Sequence, residues 1–340
     1  MIKAPFSITD LDNMASDFLT TIRANFTIET DIDVLLAGNL GGVLTPVLEY
    51  IRNNFASIIT GRPDQLDAHK VALDLLEATA KTAFRAANPA ITRRAVNSWF
   101  KNNILELFNY DLNNHGFSRR NNGALAHAHA QRLNLNTCLY CNAQFTFTIW
   151  KTNLKMRPHF DHFYYKAKSP YFALSFYNLI PSCSVCNSNM KGVKQFLYRT
   201  HFHPFLDSME GIFRFRSKIS TVDFLVNKQD FRLHLEPCPG PDSHDKRRSA
   251  KNVEDFGLVD RYDWHKDYAG EIITKSYVYT HSAMADLMKD FEVVPGVQLL
   301  NSETEIKELL LGSFLHESRF HRRILSKLTK DIADEFGFSI

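Results

Sequence analysis

Residues 138–192 decide the fold; their informative parts read CLYC at 138–141, HFDHF at 159–163, FYNLIP at 176–181 and CSVCNSNMKG at 183–192. Two Cys-x-x-Cys pairs therefore bracket an interval of 41 residues, 142–182. Four thiolates from two such pairs complete a tetrahedral zinc site without an open coordination position, which is typical of structural zinc. The interval is too long for an ordinary zinc ribbon, so a folded element must lie inside it. We predict structural Zn²⁺ ligands at Cys138, Cys141, Cys183 and Cys186.

The cysteine usage also bears on the cellular compartment. The N-terminal residues MIKAPFSITDLDNM lack the apolar centre of a secretory signal, so we expect a cytoplasmic protein. In a reducing compartment, paired cysteines bind metal more often than they form disulfides. The fifth cysteine, Cys238, is expected to be a bystander in a loop.

The composition is that of a soluble globular protein. Hydrophobic residues make up 44% and charged residues 23% of the 340 residues, which excludes a disordered chain. No apolar run approaches the ~20 residues that a membrane-spanning helix requires. We therefore expect no membrane partner.

Positive charge is concentrated around the cysteine pairs. Residues 151–200 contain eight basic residues and a single acidic one, Asp161, for a net of +7, whereas the other 32 basic and 36 acidic residues give −4. A basic segment in an otherwise slightly acidic chain is typical of a protein that binds a polyanion. We predict phosphate-backbone contacts at Lys166, Lys168, Lys191 and Lys194.

The interval between the cysteine pairs carries residues suited to hydrolysis. The carboxylate of Asp161 offers the hard oxygen that a cation such as Mg²⁺ prefers, and the neighbouring neutral imidazole of His162 can take a proton from water. Asn178 and Asn187 follow; Asn187 comes directly after the last cysteine, so bound zinc would hold its amide in place. Gly192 is positioned to end a short helix.

These motifs together resemble the zinc-containing branch of the HNH, or His-Me finger, endonucleases. The resemblance implies a ββα core that holds a catalytic Mg²⁺ or Mn²⁺ between a strand and a helix. It also implies that Asp161 and Asn187 bind this ion and that His162 is the general base. Asn178 would order the loop that positions His162. Many members have histidine at the position of Asn187, so His162 is the only histidine of the triad in this chain.

A looser similarity extends over residues 161–188 and the segment RRILSKLTKDIADEFG at 322–337. Both look similar to bacterial HNH nucleases of anti-phage defence, including Septu-type and retron-associated ones. Relatives often have proline where this chain has Tyr165, in the loop after the base. The similarity implies a partner ATPase or sensor protein, because this chain has no phosphate-binding glycine loop of its own.

The predicted architecture is α+β and mainly helical, with the ββα nuclease core and its zinc in the middle. Residues 1–136 are predicted to form a helical N-terminal domain, with helices at 45–59, 66–87 and 96–112. Residues 137–205 are the predicted nuclease core. Residues 206–340 are predicted to form strands and then helices that pack on the core or on a partner.

The predicted function is metal-dependent hydrolysis of phosphodiester bonds in DNA, leaving 5′-phosphate and 3′-hydroxyl ends as the resemblance implies. One alternative keeps the site and changes the substrate to RNA, for example tRNA. A second alternative is a zinc-stabilised module that binds nucleic acid or a partner without catalysis. The intact Asp161, His162 and Asn187 argue against that last alternative.

Overall fold

A computed structural model describes residues 1–38, 44–221, 224, 231–290, 292–294, 297–298 and 302–338. The fold is α+β and mainly helical, as the sequence predicts. In these ranges, no helix is long and apolar enough to cross a membrane.

Helices dominate both ends of the chain. Seven precede the central stretch: α1 (Ile8–Asn25), α2 (Ile28–Ala37), α3 (Thr45–Asn53), α4 (Phe55–Thr60), α5 (Pro63–Ala87), α6 (Arg93–Leu107) and α7 (Ala124–Leu133). A π-helix spans Val185–Lys191. The C-terminal helices are α8 (Ser243–Asp255), α9 (Leu258–Asp263), α10 (Lys266–Val278), α11 (His281–Asp290), α12 (Glu303–Leu311) and α13 (Ser326–Glu335).

The strands of the described residues form four separate antiparallel pairs. They are β1 (Ile149–Lys151) with β2 (Leu154–Met156), β3 (His159–His162) with β4 (Leu179–Ser182), β5 (Phe213–Ile219) with β6 (Phe231–Pro237), and β7 (Glu292–Val294) with β8 (Val297–Gln298). The β3–β4 pair is central to the site. It aligns Asp161 with Ile180 and His162 with Leu179, and the π-helix follows three residues after β4.

The predicted helix over 45–59 is divided in the structure. Asn54 separates α3 from α4, and α3 begins at Thr45 with Leu44 as its N-cap. The predicted break before Pro89 is confirmed, because α5 ends at Ala87. The helix predicted over 96–112 lies at Arg93–Leu107.

The N-terminal helices pack directly on the segment that joins β3 to β4. The buried Tyr164 hydroxyl lies 2.7 Å from the carbonyl oxygen of Pro63 and 2.8 Å from Asp67 Oδ1, so two acceptors share its one hydrogen. The Ser175 hydroxyl donates to the carbonyl oxygen of Ile58 at 2.5 Å. Buried polar groups that are all paired in this way specify one arrangement of the packed elements. The segment is therefore held from its outer side by α4 and α5.

Candidate active site and zinc centre

The four predicted cysteine ligands come together in one buried cluster. Their sulfur atoms all lie within 4.8 Å of one another, with Cys141 and Cys183 at 3.9 Å. No cysteine of the chain is in a disulfide. This arrangement could hold a structural metal such as zinc, since four convergent thiolates satisfy its tetrahedral preference.

Backbone and side-chain donors surround these sulfurs. The amide N–H of Ala143 donates to Cys141 Sγ at 3.5 Å, and that of Cys186 donates to Cys183 Sγ at 3.4 Å. The guanidinium of Arg261, from α9, donates to Cys186 Sγ at 3.3 Å. Four thiolates around one Zn²⁺ would carry excess negative charge, which these donors would offset. Arg261 lies far along the chain and was not singled out in the sequence.

Asn142 joins the first cysteine pair to the C-terminal region. Its backbone has a φ of +49°, a left-handed conformation that asparagine tolerates better than most residues. Its buried side-chain amide donates to the carbonyl oxygens of Phe320 and Arg323 and accepts from the amide of Lys327 at 3.2 Å. The cysteine cluster is thereby tied to α13.

The β3–β4 pair and the π-helix bring the predicted catalytic residues to one cavity of about 560 Å³. Asp161 and His162 end β3, and Asn187 lies in the first turn of the π-helix, directly after Cys186. All three line the cavity. Asn178, the fourth predicted residue, is fully buried behind it.

His162 is held in a defined tautomer. Its Nε2 lies 3.1 Å from the carbonyl oxygen of Ala173, and a carbonyl oxygen can only accept, so Nε2 carries the hydrogen. In the neutral ring Nδ1 then bears a free lone pair, and no described residue hydrogen-bonds to it. Burial lowers the pKa of His162 to about 3, and the positive charges of Lys166 and Lys191 act in the same direction. The imidazole is therefore neutral near pH 7.

Asn178 fixes the segment that orients His162. Its Oδ1 accepts from the amide of Tyr164 at 2.6 Å, and its Nδ2 donates to the carbonyl oxygen of Phe172 at 2.7 Å. Ala173, the hydrogen-bond acceptor of His162, is the next residue. Asn178 thus clamps both ends of the loop, the arrangement expected of a residue that positions His162.

Asp161 is paired inside the protein. Its Oδ2 accepts from the Tyr140 hydroxyl at 2.7 Å, and its Oδ1 lies 3.0 Å from the ammonium of Lys191. Lys191 is itself buried and also donates to the carbonyl oxygen of His162 at 2.6 Å. Lys191 therefore directs its ammonium group at Asp161 and the backbone of His162, and its predicted phosphate contact stays a prediction. The π-helix turns this side chain inward.

We expect the Lys191→Met variant to lower the free energy of unfolding by about 3–5 kcal/mol, because it leaves the buried Asp161 carboxylate without its partner. Urea denaturation measures the change. Lys194→Met is the matched control, since Lys194 pairs with Asp255 at a site where its own side chain is 45% exposed. An exposed pair contributes about 0–1 kcal/mol. Equal losses in the two variants would contradict the assigned role of Lys191.

The other predicted phosphate contacts are distributed around the site. Lys166 lines the cavity and pairs with Asp111 at 2.6 Å while lying over the Tyr110 ring. Lys168 is exposed and faces a different cleft, between α5 and α6. Lys194 is paired with Asp255 and does not line the cavity.

Three further residues of the cavity were not predicted. Arg119, Arg157 and His159 line it. His159 precedes Asp161 by two residues, so the alternation of side chains along a strand could have identified it. Arg157 lies in the basic segment that the sequence indicates, whereas Arg119 comes from before α7 and only the tertiary fold brings it here.

Comparisons with protein-family models, with curated proteins and with solved structures find no match for this chain. The resemblance to HNH endonucleases therefore rests on the residues of 138–192 and stays a prediction.

Proposed function

We propose that the protein is a metal-dependent endonuclease that hydrolyses phosphodiester bonds of DNA at the cavity of Asp161, His162 and Asn187. The observation that carries this proposal is the convergence of a tautomerically fixed imidazole, a carboxylate and an amide on one cavity with basic walls. None of these groups alone indicates hydrolysis. Together they supply a proton acceptor, two oxygen ligands and cations for a phosphate.

The cavity walls favour an anionic substrate. Arg119, Arg157 and Lys166 contribute positive charge, and Asp111 neutralises only Lys166. Arginine matches two phosphate oxygens with parallel N–H donors, so the two guanidinium groups suit a phosphodiester. Such contacts position the backbone without reading the base sequence.

His162 is assigned the role of general base. Ala173 holds the hydrogen on Nε2, so Nδ1 is the ring atom that accepts the proton of the attacking water. The clamp of Asn178 on residues 164 and 172 keeps the ring from rotating. The water then attacks phosphorus, and the 3′ oxygen leaves.

Asp161 and Asn187 are the residues that would hold Mg²⁺ or Mn²⁺. Their carboxylate and amide oxygens fit a hard cation, and a carboxylate has room for several partners besides Tyr140 and Lys191. The ammonium of Lys191 competes with a cation for Oδ1. When bound, the ion supplies Lewis-acid stabilisation of the charge that develops on the phosphate.

Incubation with supercoiled plasmid tests the proposal. The wild-type protein is expected to convert the plasmid to nicked and linear forms with Mg²⁺ or Mn²⁺ and to stop when EDTA is added. Restoring activity with Mg²⁺ alone, at unchanged zinc content, separates the catalytic ion from the structural one. Cleavage of total RNA with the plasmid intact would favour the RNA alternative. An intact plasmid and intact RNA under all these conditions would contradict nuclease function.

We also propose that the chain acts as the effector of a bacterial anti-phage defence system, beside a partner ATPase or sensor protein. Support comes from the sequence similarity of residues 161–188 and 322–337 alone. Copurification with a nucleotide-hydrolysing partner would support this setting, and purification of the chain from its native cells without any such partner would argue against it.

A further inference from the structure

A second cleft, of about 1020 Å³, lies between α5, α6 and the loop after β3. Its walls carry seven basic residues and two acidic ones, Asp74 and Glu77. The basic residues are Lys70, Lys81, Arg85, Arg93, Arg94, Lys101 and Lys168. This excess of positive charge lies mostly outside the basic segment 151–200.

Only two of these cations are neutralised within the described part of the chain. Lys70 pairs with Asp74 at 2.7 Å, and Lys81 pairs with Glu77. The remaining five, Arg85, Arg93, Arg94, Lys101 and Lys168, make no ion pair with a described residue. Side chains with the same charge repel when they are gathered without partners, so the cluster favours a bound polyanion.

Two further features point to phosphate. The helix α6 begins at the cleft with Arg93, and its N-terminus carries partial positive charge, although the Thr92 side chain already accepts the N–H of Ala95. Gln195, which also lines the cleft, has both amide atoms Oε1 and Nε2 buried without a hydrogen-bond partner. A buried amide of this kind is satisfied when a ligand or water enters.

The chemistry of the walls favours the backbone of a nucleic acid over its bases. Among the residues that the structure describes, no aromatic side chain lines the cleft, so they offer no platform on which bases stack. The loop after β3 also connects the two cavities: Lys166 lines the one that contains His162, and Lys168, two residues on, lines this cleft. A strand that crossed this loop from the first cavity would reach Lys168 at the second.

We propose that the α5–α6 cleft is a second phosphate-binding site, which holds the DNA backbone beside the bond that is cut. The proposal rests on the proposed nuclease function for the identity of the ligand. It assigns to the N-terminal helices the task of holding substrate.

Binding of a fluorescent DNA duplex, followed by anisotropy in the His162→Ala background, tests the proposal. We expect the triple variant Arg93→Glu, Arg94→Glu, Lys101→Glu to weaken binding at least about tenfold and to lower the slope of log K against log salt by about 2–3, one counterion per lost contact. The control carries the same charge change on α8, as Lys246→Glu, Arg247→Glu and Lys251→Glu. Circular dichroism and zinc content show that each variant is folded.

Two outcomes would contradict the proposed role of the cleft. One is equal affinity of the cleft variant and the α8 variant. The other concerns ATP, used as a probe for a small phosphate ligand. The proposal fails if the cleft variant loses ATP binding while its duplex binding is unchanged. Failure of the nuclease proposal gives a different result. The wild-type protein then cuts neither plasmid nor RNA, but the cleft variant still has a lower affinity for the duplex. With nuclease activity present, the cleft variant should raise KM and leave kcat unchanged.

Discussion

The His162→Ala variant is expected to cut supercoiled plasmid about 10²–10⁴-fold more slowly than the wild-type protein, the usual contribution of a positioned general base. The reason lies in the ring's hydrogen bonds. Nε2 is committed to the carbonyl oxygen of Ala173, and Nδ1 alone can take the proton from water. Initial rates of nicking at saturating Mg²⁺ measure the effect.

The matched control is His244→Ala. His244 is exposed on α8, outside the cavity, so its removal is expected to leave the rate unchanged. The zinc content and thermal unfolding of His162→Ala must match those of the wild-type protein, because a lost hydrogen bond to Ala173 could also loosen the loop. A folded His162→Ala variant that cuts at the wild-type rate would refute the assigned base.

The Cys186→Ser variant is expected to lose its zinc and to be less stable by several kcal/mol. Structural zinc contributes roughly 10–16 kcal/mol of binding free energy in small domains, and this energy is coupled to folding. Cys186 is fully buried, so a serine hydroxyl would replace a thiolate in a site with no solvent. Elemental analysis gives the zinc per chain, and urea denaturation gives the stability.

Cys238→Ser provides the comparison. Cys238 is also buried, after β6, and does not belong to the cluster of four cysteines. We expect this variant to keep about one zinc ion per chain, as four-coordinate binding by the other cysteines requires. Full zinc occupancy in Cys186→Ser, or equal zinc loss in both variants, would contradict the four-cysteine site. Activity should fall in Cys186→Ser as well, because Asn187 follows the altered ligand.

Short-range patterns in the sequence predicted much of this architecture. The repeated Cys-x-x-Cys spacing predicts convergence because a metal with four thiolates tolerates few other arrangements, and the sulfurs do cluster. The helix stop before Pro89 follows from local backbone chemistry in the same way. Gly192 adopts a φ of +51° directly after the π-helix, as expected of a residue that ends a helix.

Contacts between residues that are distant in sequence could not be predicted from such short-range patterns. The ion pair of Lys191 with Asp161 was not predicted, because only the packing of the π-helix beside β3 brings the two side chains together. Arg119 reaches the cavity, and Arg261 the zinc centre, from distant parts of the chain. The α5–α6 cleft was missed because its charges are spread over two helices and a loop that are far apart in sequence.

The most direct test of the active site is chemical rescue of the His162→Gly variant by imidazole. Glycine leaves space for a free imidazole next to the cavity of about 560 Å³, in reach of the groups that surround His162. We expect the variant to cut plasmid at a small fraction of the wild-type rate and imidazole to restore part of the activity in a concentration-dependent manner. Wild-type activity in His162→Gly without imidazole would show that His162 is not the base.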